Sequence, residues 1–294
     1  MYLLRFVLTS LYLVLVFFSV SVFAQEKPTI RWLTWEQSPN FLTKGPFVGQ
    51  GLGDSFNKGL QDKLPQYHHE NIVANARRYY LLIREENVCV AWAWIVPGSK
   101  DYREHSRAVS LAPATGILTL KSKQHLFGKS GETLSLAKLL KKPNLTLGYL
   151  EEMSYSKKVN DLLEQYRGKD NVYFSSRGEV EFNLAMLDRN RLDYFFAYSA
   201  QAIYDAELRA IPNKYQFYNI EEISMYSSLH SHCSKTPFGK KVMADINKII
   251  TNEMLMEQLA TVERWYGKNK KYRDVFLDYV VNQNTNQFVT HPDQ

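Results

Sequence analysis

From residue 30 to residue 265, short apolar strand-like segments alternate with segments of helical spacing, and this alternation limits the fold more than any other feature. Ile30–Thr34 is a short apolar strand candidate. The turn Gly49-Gln50-Gly51-Leu52-Gly53 opens a helix over Asp54–Leu64, with Phe56, Leu60 and Leu64 on one face. Asn71–Ala74 reads as a strand and Arg77–Glu86 as a helix. Val88–Val96 (VCVAWAWIV) is a dense apolar run, read as a buried strand ended by Pro97-Gly98. The second half repeats the rhythm. Helices are expected over Ser135–Leu140, from a Ser154 cap through Tyr166, over Glu179–Asn190 and over Ala200–Leu208. Strands are expected over Leu145–Leu150, Val172–Ser175 and Asp193–Tyr198, with extended chain over Tyr215–Ile220 and Ile223–Leu229. Thr236-Pro237 pairs a cap with Pro at the first helical position, and a final helix runs to about Trp265. Such βα alternation gives open α/β sheets with mostly parallel strands.

The first 24 residues stand outside this pattern. Arg5 precedes an apolar run from Phe6 to Phe23, and Val22-Phe23-Ala24 offers small side chains just before polar Gln25. This is the grammar of a cleaved secretory signal, so residues 1–24 are read as a signal peptide and the mature chain as periplasmic. The alternative is a membrane anchor, since the run is long enough to span a bilayer. The 270 residues that remain suffice for two lobes. Their charge is mildly basic and scattered, with Lys268-Asn269-Lys270-Lys271 the densest run, which argues against a nucleic-acid partner.

Two cysteines, Cys89 and Cys233, are a minimal even count, which in an oxidising compartment predicts one disulfide closing a long loop. That pairing removes Cys233 from any metal cluster with His230 and His232, so no metal and no cofactor are expected. The chain lacks a Gly-x-Ser-x-Gly, a phosphate loop and a His-Glu-x-x-His, and its paired acids Glu85-Glu86 and Glu151-Glu152 are adjacent in sequence rather than opposed across a site. It is therefore not read as an enzyme.

The order of several short motifs resembles the family 3 extracellular solute-binding proteins. Ser38-Pro39-Asn40-Phe41 follows strand one, and Gly49–Asp54 precedes the first helix. Ser106–Pro113 is similar to the family's crossover, Ser135–Leu150 to the start of its second lobe, Leu187–Asp193 to a Leu-x-x-Gly-x-x-Asp motif, and Trp265-Tyr266-Gly267 to the closing Trp-x-Gly. The resemblance covers residues 29–266. It implies a type II periplasmic-binding-protein fold: two α/β lobes joined by two crossover strands, with the ligand in the cleft. Lobe one would be 28–112 plus 216–267, lobe two 117–212, and 268–294 a C-terminal tail, in which Tyr272–Val281 reads as a short amphipathic helix and Asn282–Gln294 as loose polar chain. It also implies a monomer that captures a small molecule and hands it to a membrane permease, or else reports it to a membrane sensor.

The departures from the family bear on the ligand. Amino-acid binders of the family carry an Arg just after the crossover, where this chain has Pro113-Ala114-Thr115-Gly116-Ile117, and an acid where this chain has Tyr198. An ordinary amino acid is therefore not the expected ligand. The expected cleft residues are Trp35 and Glu36 after strand one, one of Trp92 and Trp94 (Trp92 is preferred), Thr115 at the crossover, Ser154 and Ser176 at helix starts, Arg177 as the replacement cation, and Tyr198. Trp35 and Tyr198 are expected to sandwich a polar, ring-containing ligand from opposite lobes.

Overall fold

The computed structural model describes residues 26–35, 37–95, 98–151, 153, 155–175, 180–284 and 289–290. The signal-peptide segment lies outside them. Two sheets organise the chain. The first has the order β12-β11-β3-β1-β2, with β4 on the other side of β11. Its strands are β1 (Thr29–Trp35), β2 (His68–Ala74), β3 (Val88–Trp94), β4 (Arg103–Pro113), β11 (Tyr226–Ser234) and β12 (Val289–Thr290). Strand β1 runs parallel to both β2 and β3, whereas β11 is antiparallel to β3 and β4. The second sheet has the order β6-β10-β5-β9-β7-β8, built from β5 (Gly116–Leu120), β6 (Thr133–Leu134), β7 (Leu147–Leu150), β8 (Val172–Ser175), β9 (Tyr194–Ala197) and β10 (Tyr215–Ile220).

Helices cover both sheets because each sheet is apolar on both faces. In the first lobe, α1 (Asp54–Lys63), α7 (Pro237–Ile249), α8 (Asn252–Tyr266) and α9 (Lys270–Phe276) close one face over Trp32, Leu60, Leu111, Val242 and Trp265. Helix α2 (Ala76–Leu82) closes the other over Leu33, Tyr79, Val88 and Val90. In the second lobe, α3 (Leu136–Leu140) and α4 (Lys157–Gln165) pack on one face, and α5 (Val180–Asp188) and α6 (Ser199–Leu208) on the other. Thr236 caps α7 by accepting from the Gly239 N–H, with Pro237 in the first turn as expected. The cap of α4 is Ser156, two residues beyond the expected position; its hydroxyl accepts from the Val159 N–H.

Three differences from the sequence reading have physical causes. Strand β10 (residues 215–220), expected to begin lobe one's return, pairs antiparallel with β5, so the second lobe holds the chain to residue 220. The amphipathic helix read over Tyr272–Val281 forms, but it belongs to the first lobe rather than to a tail. Tyr272, Val275, Phe276 and Val280 are buried in the first lobe's core, and the Tyr272 hydroxyl donates to the Leu111 carbonyl. Beyond it, Val289–Thr290 adds a short parallel strand beside Tyr226 and Ser227. The eleven-residue strand β4 was visible in sequence only as a crossover motif, since polar residues interrupt its apolar ones.

The Cys89–Cys233 disulfide forms as expected. The two residues are direct partners on neighbouring antiparallel strands, 4.0 Å apart at Cα, and both are fully buried. The bridge closes a loop with a sequence separation of 144 yet lies wholly within the first lobe. Loop-closure entropy then predicts that the Cys89→Ser, Cys233→Ser double variant loses about 5 kcal/mol, an upper figure. Chemical denaturation of the variant should show this as a lower midpoint, and an unchanged midpoint would remove the bridge from the account of stability.

Candidate ligand-binding cleft

The chain passes between the lobes at residues 113–116 and 221–225, and the two passages are tied where the Ala114 N–H donates to the Met225 carbonyl at 3.0 Å. Gly116 sits at this junction for a steric reason. A Cβ there would fall 2.2 Å from the Tyr218 carbonyl oxygen, so no larger side chain fits where the family resemblance calls for an Arg. Around the junction lies a cavity of about 520 Å³, lined from both lobes. The carboxyl ends of β1, β3 and β9 border it, as expected for open α/β sheets.

Aromatic rings form most of the first lobe's wall. Trp35 lines the cavity, half-buried, with Tyr79 and Tyr80 centroids 6.0 and 6.2 Å away. Trp92 and Trp94 both line it, edge to face at 5.7 Å. The expectation that only one of them could do so fails because residues two apart on a strand share a face. Trp92 is 1 % exposed and its Nε1 has no hydrogen-bond partner.

Thr115 and Tyr198 line the cavity, and the Tyr198 hydroxyl is hydrogen-bonded with the Thr115 side chain. Burial pushes that phenol up to about 12, so it stays protonated at neutral pH. Tyr198 does not oppose Trp35 across an open gap. Its ring lies parallel on Trp94, centroids 5.0 Å apart and 3° between planes. Glu36, Ser154, Ser176 and Arg177 lie outside the described residues.

The charged groups in the wall were missed by the sequence reading. Arg103, the first residue of β4, lines the cavity and is 3 % exposed. Its Nη1 donates to His232 Nε2 at 3.1 Å and its guanidinium lies 4.9 Å from the Tyr102 ring centroid. Its Nε and Nη2 have no partner among the described residues. A cation is thus present in the cleft after all, ten residues upstream of the stretch expected to hold it. No sequence pattern marks it, since Glu104, His105, Ser106 and Arg107 follow it directly. Glu222 lines the cavity but is fully engaged: one carboxylate oxygen accepts from the Ala137 N–H and Ser135 hydroxyl, the other from the Leu136 N–H, capping α3. The Ser156 hydroxyl donates to the Glu222 carbonyl, which binds the start of α4 to the same passage.

Behind Arg103 lies a group of histidines, of which His230 and His232 are buried and His105 is half-buried. His232 and His105 rings are 5.5 Å apart, and His230 bridges Ser228 and the Ser106 carbonyl. Burial, then His230, Arg103, Lys100 and Lys235, hold His105 down to about 4. Burial first, then Arg103 and the neighbouring imidazoles, lowers His232 further. The charges named here, on Arg103, Lys100 and Lys235, are all positive.

No protein-family profile matches the sequence, and no curated protein matches it. Solved structures do match in fold. The chain is similar to the BvgS VFT2 domain of Bordetella pertussis, at 14% identity over 81% of this chain and 93% of that one, TM-score 0.57. It is similar to a putative L-cystine ABC transporter protein from Listeria monocytogenes, at 15% identity over 82% and 96%, TM-score 0.58. A third likeness is to the probable amino-acid ABC transporter extracellular-binding protein ytmK of Bacillus subtilis, at 14% identity over 83% and 99%, TM-score 0.57. These likenesses establish the fold as the type II periplasmic-binding-protein, or Venus-flytrap, architecture.

The histidine group makes stability depend on acid. An imidazole whose proton affinity is lowered by folding takes up protons more readily in the unfolded chain. Stability is therefore complete above about pH 6.5 and falls as pH drops toward the folded value. The melting midpoint should decline between pH 6.5 and 4, and less so in a His105→Gln variant. A flat profile in the parent chain would contradict the assignment.

Proposed function

We propose that this chain is a periplasmic solute-binding protein that captures a small anionic, ring-containing molecule in the interlobe cleft. The observation that carries this is the unpaired Nε and Nη2 of buried Arg103 in a wall of tryptophan and tyrosine. A guanidinium edge matches a planar oxyanion in a bidentate fashion, and aromatic faces match a flat apolar body. A buried cation with two donors left unfilled is costly, so a ligand anion gains more there than it would at the surface. Glu222 is committed to the α3 cap and Tyr198 is stacked on Trp94, so among the described residues Glu221 is the carboxylate of the wall that could meet an ammonium group. Sequence residues 1–24 support export, and a buried disulfide suits an oxidising compartment. On this reading the partner is a membrane permease. The likeness to a BvgS domain favours a second reading, in which the partner is a membrane sensor.

Three of the five tryptophans line the cavity, so intrinsic fluorescence reports occupancy. Titration with benzoate should change it saturably. Benzamide, the neutral isostere, should bind at least about tenfold more weakly, the equivalent of about 1.4 kcal/mol for the lost charge-assisted contact. Arg103→Gln should abolish the difference between the two. Equal binding of both compounds to the parent chain, or no binding of either, would reject an anion-selective cleft.

A further inference from the structure

Helix α6 is buried on two opposite sides. Ala202 packs into the second lobe's cluster with Leu187 and Phe195, whereas Ala200 and Tyr204, one turn apart, belong to the first lobe's core. Tyr204 meets Trp265 at 5.6 Å and Phe47 at 6.1 Å between ring centroids, and Phe47 meets Trp265 at 5.8 Å. At the rim, Arg264 pairs with Glu207 at 3.1 Å. At the N-terminal end of the same helix, Tyr198 stacks on Trp94. One continuous apolar seam therefore runs along α6, from the cleft wall to the outer surface, and it joins the two lobes without any contact from a ligand.

We propose that this seam is a ligand-independent clasp, so that the closed cleft is the resting state of the protein. A ligand shifts a two-state equilibrium only by its difference in affinity for the two states. Where protein contacts already favour closure, the ligand adds little further closing, and exchange waits on the clasp breaking. Opening would expose Ala200 and Trp265, each 0 % exposed when closed, and would separate a parallel ring stack. Tyr198 is then a positioning residue for the closed state as well as a wall of the cleft. The proposal does not depend on what the ligand is.

Spin labels placed through Lys63→Cys in the first lobe and Lys169→Cys in the second, both exposed positions, give the interlobe distance by pulsed electron resonance. The chain is first unfolded and refolded by dialysis to remove any carried ligand. The ligand-free parent should show one short distance population. Tyr198→Phe, which keeps the ring, should match it. Trp94→Ala and Tyr204→Ala should each raise the long-distance population at least tenfold. Glu207→Arg, which sets like charges against Arg264 on the surface and leaves the core intact, should raise it less, and it keeps the test alive if a core variant fails to fold. A ligand-free parent already at the long distance overturns the proposal. So does a Glu207→Arg chain as closed as the parent, or folded ring-deletion variants as closed as the parent.

Discussion

Strand β11 is the element on which the cleft depends. It lies between β3 and β4, hydrogen-bonded to both, and is covalently tied to β3 through Cys233 and Cys89. Its first residues adjoin the second passage between lobes, and its far end carries His232 against Arg103. Because β11 pairs with β4 along almost its full length, the first passage at Pro113 and the buried cation at Arg103 are held at opposite ends of one rigid ladder. The disulfide ties that ladder to β3 without crossing to the other lobe, so rigidity of the binding wall and motion between lobes are kept apart.

The energetics of the wall rest on a single imbalance. Arg103 is held by an imidazole acceptor, the face of Tyr102 and the hydroxyl of Tyr79, none of which is an anion at neutral pH. Elsewhere the chain pairs its charges, as Arg209 does with Asp205 and Asp188, and Lys123 with Asp193. Most of those pairs are partly exposed and contribute little to stability. The exception in the cleft is therefore the informative one, since a buried cation without a counter-charge is seldom retained for packing alone.

Much of the architecture was legible in the sequence because it follows from apolar periodicity. The run VCVAWAWIV could only be a buried strand, and Thr236-Pro237 could hardly be anything but a helix start. The cysteine pairing followed from count and compartment. What was not legible depended on which side of a sheet a residue meets. Tyr215–Ile220 reads equally well as a strand of either lobe until its partner β5 is known. Tyr272, Val275 and Phe276 mark a short amphipathic helix, but so short an apolar stripe does not say which lobe it packs on. Arg103 looked like any surface arginine, since its burial is set by Tyr79 and His232, distant in sequence. Tyr198 was placed correctly at a strand end, but its ring partner, Trp94, is fixed by how the lobes meet.

The central claim is that the free edge of Arg103 is the anchor for a ligand anion, and a crystal structure grown with an aromatic carboxylate tests it most directly. The account predicts carboxylate oxygens within hydrogen-bond distance of Arg103 Nε and Nη2, with the ring against Trp35 or Trp92. A bound molecule elsewhere in the cleft, with both guanidinium nitrogens turned to protein acceptors, would contradict it.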